Sequence, residues 1–175
     1  MRRKDREVTD TAEIARILAA AKVLRLGLMD GDYPYIVPLH YGYMYAGDAL
    51  RFYMHGAKAG KKYELIQANV HAFAELDTDV ETTGEGDVAC IYGANYASLM
   101  ARGKVVLVEE SREKIQGLKL LMSAQTGREF AITEEQAAGV AVFRFDADSF
   151  SVKKRHLESS VGGEKTKCQR SKKLI

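Results

Sequence analysis

The sequence predicts a mainly β protein, in which a small antiparallel barrel carries a few helices on its outside. Six or seven stretches have strand character, and glycine turns such as Asp30-Gly31-Asp32 and Ala46-Gly47-Asp48 join neighbouring stretches into hairpins. Helical periodicity is confined to three segments, so strands and helices do not alternate as they would in a parallel sheet. The 175 residues, 46% of them hydrophobic, suffice for one domain with its own core.

The first half of the chain predicts one helix followed by three strands. Asp10 and Glu13 have the spacing of a capping box, and the apolar residues after them predict a helix from about Thr11 to Ala21. The strands are expected at Val23–Met29, Tyr35–Tyr45 and Leu50–His55. Pro38 has no N–H group for a ladder, so the second strand is expected to be an edge, a bulge or a distorted segment.

The second half predicts two further helices, at Lys61–Ala68 and Ser111–Ala124. The polar, acidic stretch Thr78–Asp87 is expected to be an exposed loop. The remaining strands are expected at Val70–Leu76, Val88–Tyr92, about Ser98–Val108 and Gly139–Phe145, with an interruption at Gly93-Ala94-Asn95 and an extension over Phe150–Val152 left open.

Charge divides the chain into two parts. The net charge is +2, but the residues from Ser151 to Ile175 carry eight Lys or Arg and two Glu. Residues 1–155 are therefore predicted to form the domain, and residues 156–175 a basic C-terminal tail. Such a tail can bind nucleic acid. Because no aromatic residue follows Phe150, it offers no stacking platform, and a solvated chain end is the preferred interpretation.

Cellular location is predicted from what the sequence lacks. No apolar run is long enough to span a bilayer, and the charged N-terminus has no apolar segment after it, so neither a membrane protein nor a signal peptide is expected. Cys90 and Cys168 lie far apart and form no C-x-x-C motif. A cytoplasmic protein with reduced thiols is the expectation.

The stretch His55-Gly-Ala-Lys-Ala-Gly-Lys-Lys-Tyr63 is the most informative for chemistry. It places glycines and lysines between a strand and a helix, and such a junction can bind a phosphate through cations and backbone N–H groups. The glycine spacing is not that of a Walker A loop, so a phosphomonoester is expected rather than a hydrolysed triphosphate. The alternative is a glycine-rich connection with solvated lysines.

Other side chains give weaker indications. The four histidines have no metal-binding spacing, and a metal site is not expected. His55 ends a strand beside the lysine loop and is a candidate for ligand contact or proton donation near neutral pH. The tyrosines Tyr33, Tyr35, Tyr41, Tyr43 and Tyr45 would share one face of a regular strand, as core, as an interface or as a wall for a flat ligand.

The order of several segments resembles one known family. These segments are Pro34-Tyr-Ile-Val-Pro-Leu-His-Tyr41, Leu50-Arg-Phe-Tyr-Met-His-Gly-Ala57, Gly60-Lys-Lys62, Asn69-Val-His-Ala-Phe73 and Asn95-Tyr-Ala-Ser-Leu-Met-Ala-Arg-Gly-Lys-Val105. Together they resemble the FMN-binding split-barrel proteins related to pyridoxamine 5'-phosphate oxidase, and most closely the nitroimidazole-resistance branch. The resemblance covers roughly Asp10 to Arg155. It departs from the family at Asn69-Val70, where the family has Asn-Pro, and at Ser98-Leu99, where it has Ser-Val.

The resemblance implies a six-stranded antiparallel split β-barrel with flanking helices, and a homodimer that holds FMN at the subunit interface. It implies that Val37, Pro38, Leu39 and His40 run their backbone beside the flavin ring, and that Tyr53, Met54 and His55 line the next strand of the site. Lys61 and, above all, Lys62 would meet the phosphate. Tyr96 and Ser98 match a family Tyr-x-Ser and would reach the phosphate or the ribityl chain.

The function implied is an FMN-dependent oxidoreductase of the flavin reductase or nitroreductase kind. It would pass electrons from a nicotinamide donor to a small organic acceptor, with Tyr41 and His55 on the substrate side. One alternative is a non-catalytic protein on the same barrel that binds flavin, or haem through His55 or His156. Another is a pyridoxamine 5'-phosphate oxidase-like enzyme, which is disfavoured because no second basic pair is evident for the phosphate of its substrate.

Overall fold

The computed structural model describes residues 3–156, and these form a seven-stranded antiparallel sheet with four α-helices around it. This confirms the mainly β fold class. The helices are α1 Thr11–Ala20, α2 Lys61–Ala68, α3 Ser111–Thr126 and α4 Glu134–Ala138, and short 3-10 helices lie at Lys4–Arg6 and Ala89–Ile91. The strands are β1 Leu24–Asp30, β2 Tyr33–Leu39, β3 Gly42–Ala46, β4 Ala49–Gly56, β5 His71–Thr83, β6 Gly93–Val108 and β7 Ala141–Arg155.

Two residues close the sheet into a barrel. The strand order is β2-β1-β5-β6-β7-β4-β3, so β2 and β3 occupy opposite ends of the series. Only His40 and Tyr41 separate the end of β2 from the start of β3. Because two residues cannot span a flat sheet of seven strands, the sheet has to curl until its outer strands meet.

The inner faces of these strands and one helix fill the core. Alternate residues of β1 and the first half of β6 are buried, as a sheet with one apolar face requires. Helix α1 adds Ile14, Ile17 and Leu18 to the same cluster, and the Asp10 side chain accepts a hydrogen bond from the Glu13 N–H group at its start.

Helix α3 lies very close to the start of β3. A Cβ atom at Gly42 would overlap the backbone of α3 at Leu120 and Leu121, so only glycine permits this approach. Along its length α3 packs on β3, β4 and β7 and covers a second apolar cluster that includes Tyr53, Leu118 and Val142. The helix thereby brings its C-terminal residues to the link between β2 and β3.

The structure differs from the sequence expectations in the strands. There are seven strands, which agrees with the six or seven stretches of strand character and exceeds the six that the resemblance implied. The expected strand Tyr35–Tyr45 is broken at the barrel closure into β2 and β3. The expected loop Thr78–Asp87 is wrong over its first six residues, since β5 continues to Thr83 and pairs there with Gly93 of β6. The expected strand Val88–Tyr92 is instead exposed and contains a 3-10 turn, and Gly93–Asn95 belongs to β6.

Two further findings concern residues 3–156 only. None of their helices is both long and apolar enough to cross a membrane. No three His, Cys, Asp or Glu side chains in this range are grouped so that they could hold a metal ion. The expected basic tail lies outside the described residues, apart from His156.

Candidate functional site

The structure brings His40, His55 and Lys62 to one end of the barrel. Gly42 of β3 pairs with Tyr53 of β4, so the antiparallel register carries His40, two residues before Gly42, towards His55. The pKa of His55 is lowered, first by burial and then by electrostatic interactions with Lys62 and His40. His55 is therefore neutral at pH 7 and lies within electrostatic range of both neighbours.

Lys62 is the unusual cation of this group. Its side chain is half-buried, and its Nζ atom lies 5.1 Å from the centre of the Phe143 ring. Within residues 3–156, no carboxylate lies within salt-bridge distance of this ammonium group. Burial lowers its pKa. A desolvated ammonium group without a counterion is a favourable partner for an anion.

Lys61 differs from Lys62, although the two are neighbours. Its side chain is exposed, and its Nζ atom forms an ion pair with Asp30 Oδ1 at 2.6 Å. The hydrogen bond to Asp30 raises the pKa of Lys61. The structure therefore ties Lys61 to the end of β1 and leaves Lys62 as the available cation, whereas the sequence analysis expected both to meet a phosphate.

The start of α2 lies beside Lys62 and has no side-chain cap. Its N-cap is Gly60, with a φ angle of +95°. Asp10, Glu110 and Thr133 cap the other three helices through side-chain oxygens that accept backbone N–H hydrogen bonds. The first-turn N–H groups of α2 thus lack the side-chain acceptor that every other α-helix in residues 3–156 has, and they suit an anion.

Strand β2 provides an edge for this end of the barrel. It pairs with β1 on one side only, as Pro38 predicted. Val37 and Leu39 pack partly against the core, whereas Pro38 and His40 are exposed. The Nδ1 atom of His40 lies 2.9 Å from Gln125 Oε1 and 3.1 Å from the Lys22 carbonyl oxygen.

Three of the expected site residues are buried. Tyr41 is fully buried, and its hydroxyl donates to the carbonyl oxygens of Leu18 at 2.8 Å and Ala21 at 3.1 Å, where α1 ends. It therefore caps α1, and its position gives no support to the expected substrate contact. Met54 points into the barrel core, and Tyr53 lies beneath α3. Of the three expected β4 residues, only His55 exposes its side chain.

Tyr96 and Ser98 lie on β6, and within residues 3–156 neither side chain forms a hydrogen bond or a ring contact with Lys62. Tyr96 contacts Arg6 and Lys153 instead: its hydroxyl accepts a 3.4 Å hydrogen bond from Arg6, and its ring centre lies 5.7 Å from Lys153 Nζ. The structure therefore shows no contact that joins Tyr96 or Ser98 to Lys62 within one protomer.

Tyr96 instead borders a second feature, an open cavity of about 620 Å³ between β5, β6 and the end of β7. Burial raises the pKa of the Tyr96 hydroxyl, but the hydrogen bonds from Arg6 and Lys153 and the charges of these residues outweigh burial. The pKa of Tyr96 is therefore lowered overall. Two of the cavity's cations are already paired: Arg16 with Asp79, which also lines the cavity, and Lys154 with Glu13, which does not.

Sequence reasoning missed the side chains that support the site from other elements. Phe143 comes from β7 and Gln125 from the last turn of α3, and both are distant in sequence from the residues they contact. No motif marks either residue. Only the position of α3 against Gly42 brings Gln125 to the barrel closure.

Comparison with known proteins gives one family and several similar structures. The model of the pyridoxamine 5'-phosphate oxidase family matches residues 10–154. A candidate 5-nitroimidazole antibiotic resistance protein from Bacteroides thetaiotaomicron is 26% identical, with a TM-score of 0.70 over 84% of this chain and 85% of that chain. No curated protein matches the sequence.

Two more distant structures share the fold. The flavocytochrome Anf3 from Azotobacter vinelandii is 19% identical, with a TM-score of 0.69 over 91% of this chain and 75% of that chain. An FAD-binding protein from Mesorhizobium loti is 21% identical, with a TM-score of 0.60 over 86% of this chain and 98% of that chain. At these identities the likeness supports the split-barrel fold alone.

Proposed function

Because the chain belongs to the pyridoxamine 5'-phosphate oxidase family, we propose that it binds FMN and acts as a flavin-dependent oxidoreductase. The observation that carries the proposal is the half-buried ammonium group of Lys62, which has no carboxylate partner among the described residues and lies beside the start of α2, where no side chain caps the helix. A dianionic phosphate complements both features, because it neutralises the ammonium group and accepts hydrogen bonds from backbone N–H groups. Lys61 stays with Asp30 and contributes no direct contact.

The remaining site residues orient and shelter the ligand. One side of β2, the strand of Val37, Pro38 and Leu39, has no partner strand and offers backbone groups, although Pro38 has no N–H group to offer. His55 is neutral at pH 7 and can accept a hydrogen bond without adding a charge. A bound flavin supplies the electron-transfer chemistry, so no side chain has to serve as a strong acid or base. We propose a nicotinamide as the electron donor and a small organic molecule as the acceptor.

We further propose that the flavin lies between two copies of the chain. Within residues 3–156 of one protomer, neither Tyr96 nor Ser98 contacts Lys62, and Tyr96 contacts Arg6 and Lys153 instead. A second copy can bring Tyr96 and Ser98 to the phosphate bound by Lys62. The sheet also carries exposed apolar side chains at Ile36 of β2, Phe73 of β5 and Met100 of β6, which are 62%, 48% and 50% exposed, and Ile36 and Phe73 lie on either side of Gly27 of β1. A partner that packs against this part of the sheet would bury them.

Several similar structures are named for redox cofactors, and one of these cofactors gives a rival proposal. One is named a flavocytochrome and another an FAD-binding protein, and an FAD and haem binding protein from Mycobacterium smegmatis has a TM-score of 0.69 at 15% identity. FAD carries an additional adenylate, so the cofactor test has to compare FMN with FAD. A haem-binding protein is the alternative, with His55 or His156, which are both exposed, as the axial ligand.

The visible spectrum of the purified protein tests the proposal directly. We expect flavin absorption bands in the preparation, or their quenching and shift when FMN is added to the protein without cofactor. Anaerobic addition of NADH or NADPH should then bleach the bands, and a nitroaromatic acceptor should restore them. A preparation that binds neither FMN nor FAD would refute the flavin proposal, and a Soret band would favour haem. Light scattering should give the mass of a dimer.

A further inference from the structure

Gln125 connects the last turn of α3 to His40 and to the backbone beside it. Its Nε2 group donates a hydrogen bond to the Tyr41 carbonyl oxygen at 2.9 Å, and its Oε1 atom lies 2.9 Å from His40 Nδ1. The Tyr41 carbonyl can only accept, so it has to face the amide nitrogen of Gln125. The orientation of the Gln125 amide is therefore fixed, and its oxygen faces the imidazole.

The neighbours of His40 also determine which of its ring nitrogens carries the proton. The two atoms closest to Nδ1 are the Gln125 amide oxygen and, at 3.1 Å, the Lys22 carbonyl oxygen. Both are acceptors, so Nδ1 has to carry the hydrogen. In the neutral ring Nε2 then has a lone pair. Within residues 3–156, Nε2 has no hydrogen-bond partner, and the ring is exposed at the end of the barrel that also carries His55 and Lys62.

We propose that Gln125 and the Lys22 carbonyl hold His40 as its Nδ1–H tautomer, so that Nε2 is a fixed hydrogen-bond acceptor for a small ligand that presents an N–H or O–H group. Gln125 is then a positioning residue, since it acts on the ligand only through His40. The tautomer of His40 follows from the contacts within this chain alone, whereas the role of Nε2 towards a ligand rests on the proposed function.

Nitrogen NMR of the protein without cofactor tests the tautomer. Long-range ¹⁵N–¹H correlation spectra at pH 8 distinguish protonated from unprotonated ring nitrogens, and a His40→Gln spectrum assigns the signals. We expect a protonated Nδ1 and an unprotonated Nε2. The Gln125→Leu variant should make the Nε2–H form detectable, whereas Gln125→Glu should keep Nδ1–H because its carboxylate also accepts. Gln116→Leu, the same substitution at an exposed position of α3, is the matched control and should leave the His40 signals unchanged.

A pair of probes tests the ligand. 4-Nitroimidazole has a ring N–H group, and 1-methyl-4-nitroimidazole has a methyl group in its place. At pH 8, the pH of the NMR experiment, the FMN-loaded protein should bind the N–H probe roughly 2- to 10-fold more tightly, as expected for one hydrogen bond. The Gln125→Leu variant should lose this preference while it retains any preference due to the size of the methyl group.

The outcomes separate the two proposals. A protein that binds no flavin but has His40 as the Nδ1–H tautomer would refute the proposed function and confirm the tautomer. A wild-type spectrum with hydrogen on Nε2 of neutral His40 would overturn the inference, whether or not flavin binds. Equal affinities for the two probes, or the same preference in wild type and Gln125→Leu, would overturn its ligand half. If Gln125→Leu fails to fold, the wild-type spectrum still decides the tautomer.

Discussion

Replacement of Lys62 by methionine removes the charge that should bind the phosphate and keeps most of the side chain's apolar volume. The structure gives this ammonium group only the Phe143 ring, at 5.1 Å, and no carboxylate in residues 3–156. A hydrogen bond to a charged partner contributes about 1.5–3 kcal/mol to binding. Because about 1.4 kcal/mol corresponds to a factor of ten, the dissociation constant for FMN should rise by about 10- to 150-fold.

The assay is a fluorescence titration, in which FMN fluorescence is measured as the protein is added. Lys61→Met is the matched control, because Lys61 is adjacent in sequence but exposed and paired with Asp30. Its substitution should change the dissociation constant by less than about threefold, as expected for a surface ion pair. The unliganded Lys62→Met variant should fold with a stability within about 1 kcal/mol of wild type, because loss of the contact with Phe143 is offset by relief of burial of the charge.

Two results would refute the argument about Lys62. One is unchanged FMN affinity in Lys62→Met, which would place the phosphate elsewhere. The other is an equal loss of FMN affinity in Lys62→Met and Lys61→Met. That result would show that FMN affinity depends on the net positive charge at this end of the barrel and not on the half-buried position of Lys62.

Three further predictions concern stability. Tyr41→Phe should lower the free energy of unfolding, measured in urea, by about 1–3 kcal/mol, because it leaves two carbonyl groups at the end of α1 without their hydrogen-bond donor. FMN affinity and turnover should be preserved. Lost turnover with unchanged stability would instead indicate that Tyr41 contacts the substrate. Gly42→Ala should destabilise the protein by about 1–3 kcal/mol or more, because its Cβ would overlap the backbone at Leu121; equal stability would contradict this tight packing of α3. Hydrogen bonds from Arg16 and Lys154 lower the pKa of Glu13 from 4.5 to about 2 in the folded protein, so its contribution to stability is complete above pH 4.5 and is lost as the pH falls towards 2. Glu13→Gln should therefore be less stable than wild type at pH 7 and show a smaller decrease in urea midpoint between pH 4.5 and 2.5, and parallel pH profiles would refute this assignment.

Local sequence signals predicted much of the fold. Asp10 and the periodic residues after it predicted helix α1, and the missing N–H group of Pro38 predicted an edge, a bulge or a distorted segment, of which the structure shows the edge. The sequence predictions were wrong in segments whose exposure to solvent does not follow from their polarity. β5 continues through polar residues to Thr83 because pairing with β6 stabilises a strand whose side chains face water. Val88 and Ile91 are apolar, yet both are exposed in the segment before β6.

The candidate site was less predictable, because it depends on the orientation of single side chains. Lys61 and Lys62 are chemically identical, but adjacent residues point about 100° apart on a helix, so one reaches Asp30 and the other lies over Phe143. The burial of Tyr41 likewise depends on where α1 ends, which no residue near Tyr41 indicates. Sequence motifs identified the region of the candidate site, whereas the fold determines which of its side chains are accessible to a ligand.

The dipeptide His40-Tyr41 restricts how proteins of this shape can vary. Insertions in the turns at Gly31 and Gly47 would extend into solvent, where added length costs little. An insertion between β2 and β3 would open the seam of the barrel, detach the end of α1 and displace His40 in a single step. In a deep mutational scan with insertions, this link should therefore tolerate no added residue, and length variation among homologues should be concentrated in the two hairpin turns.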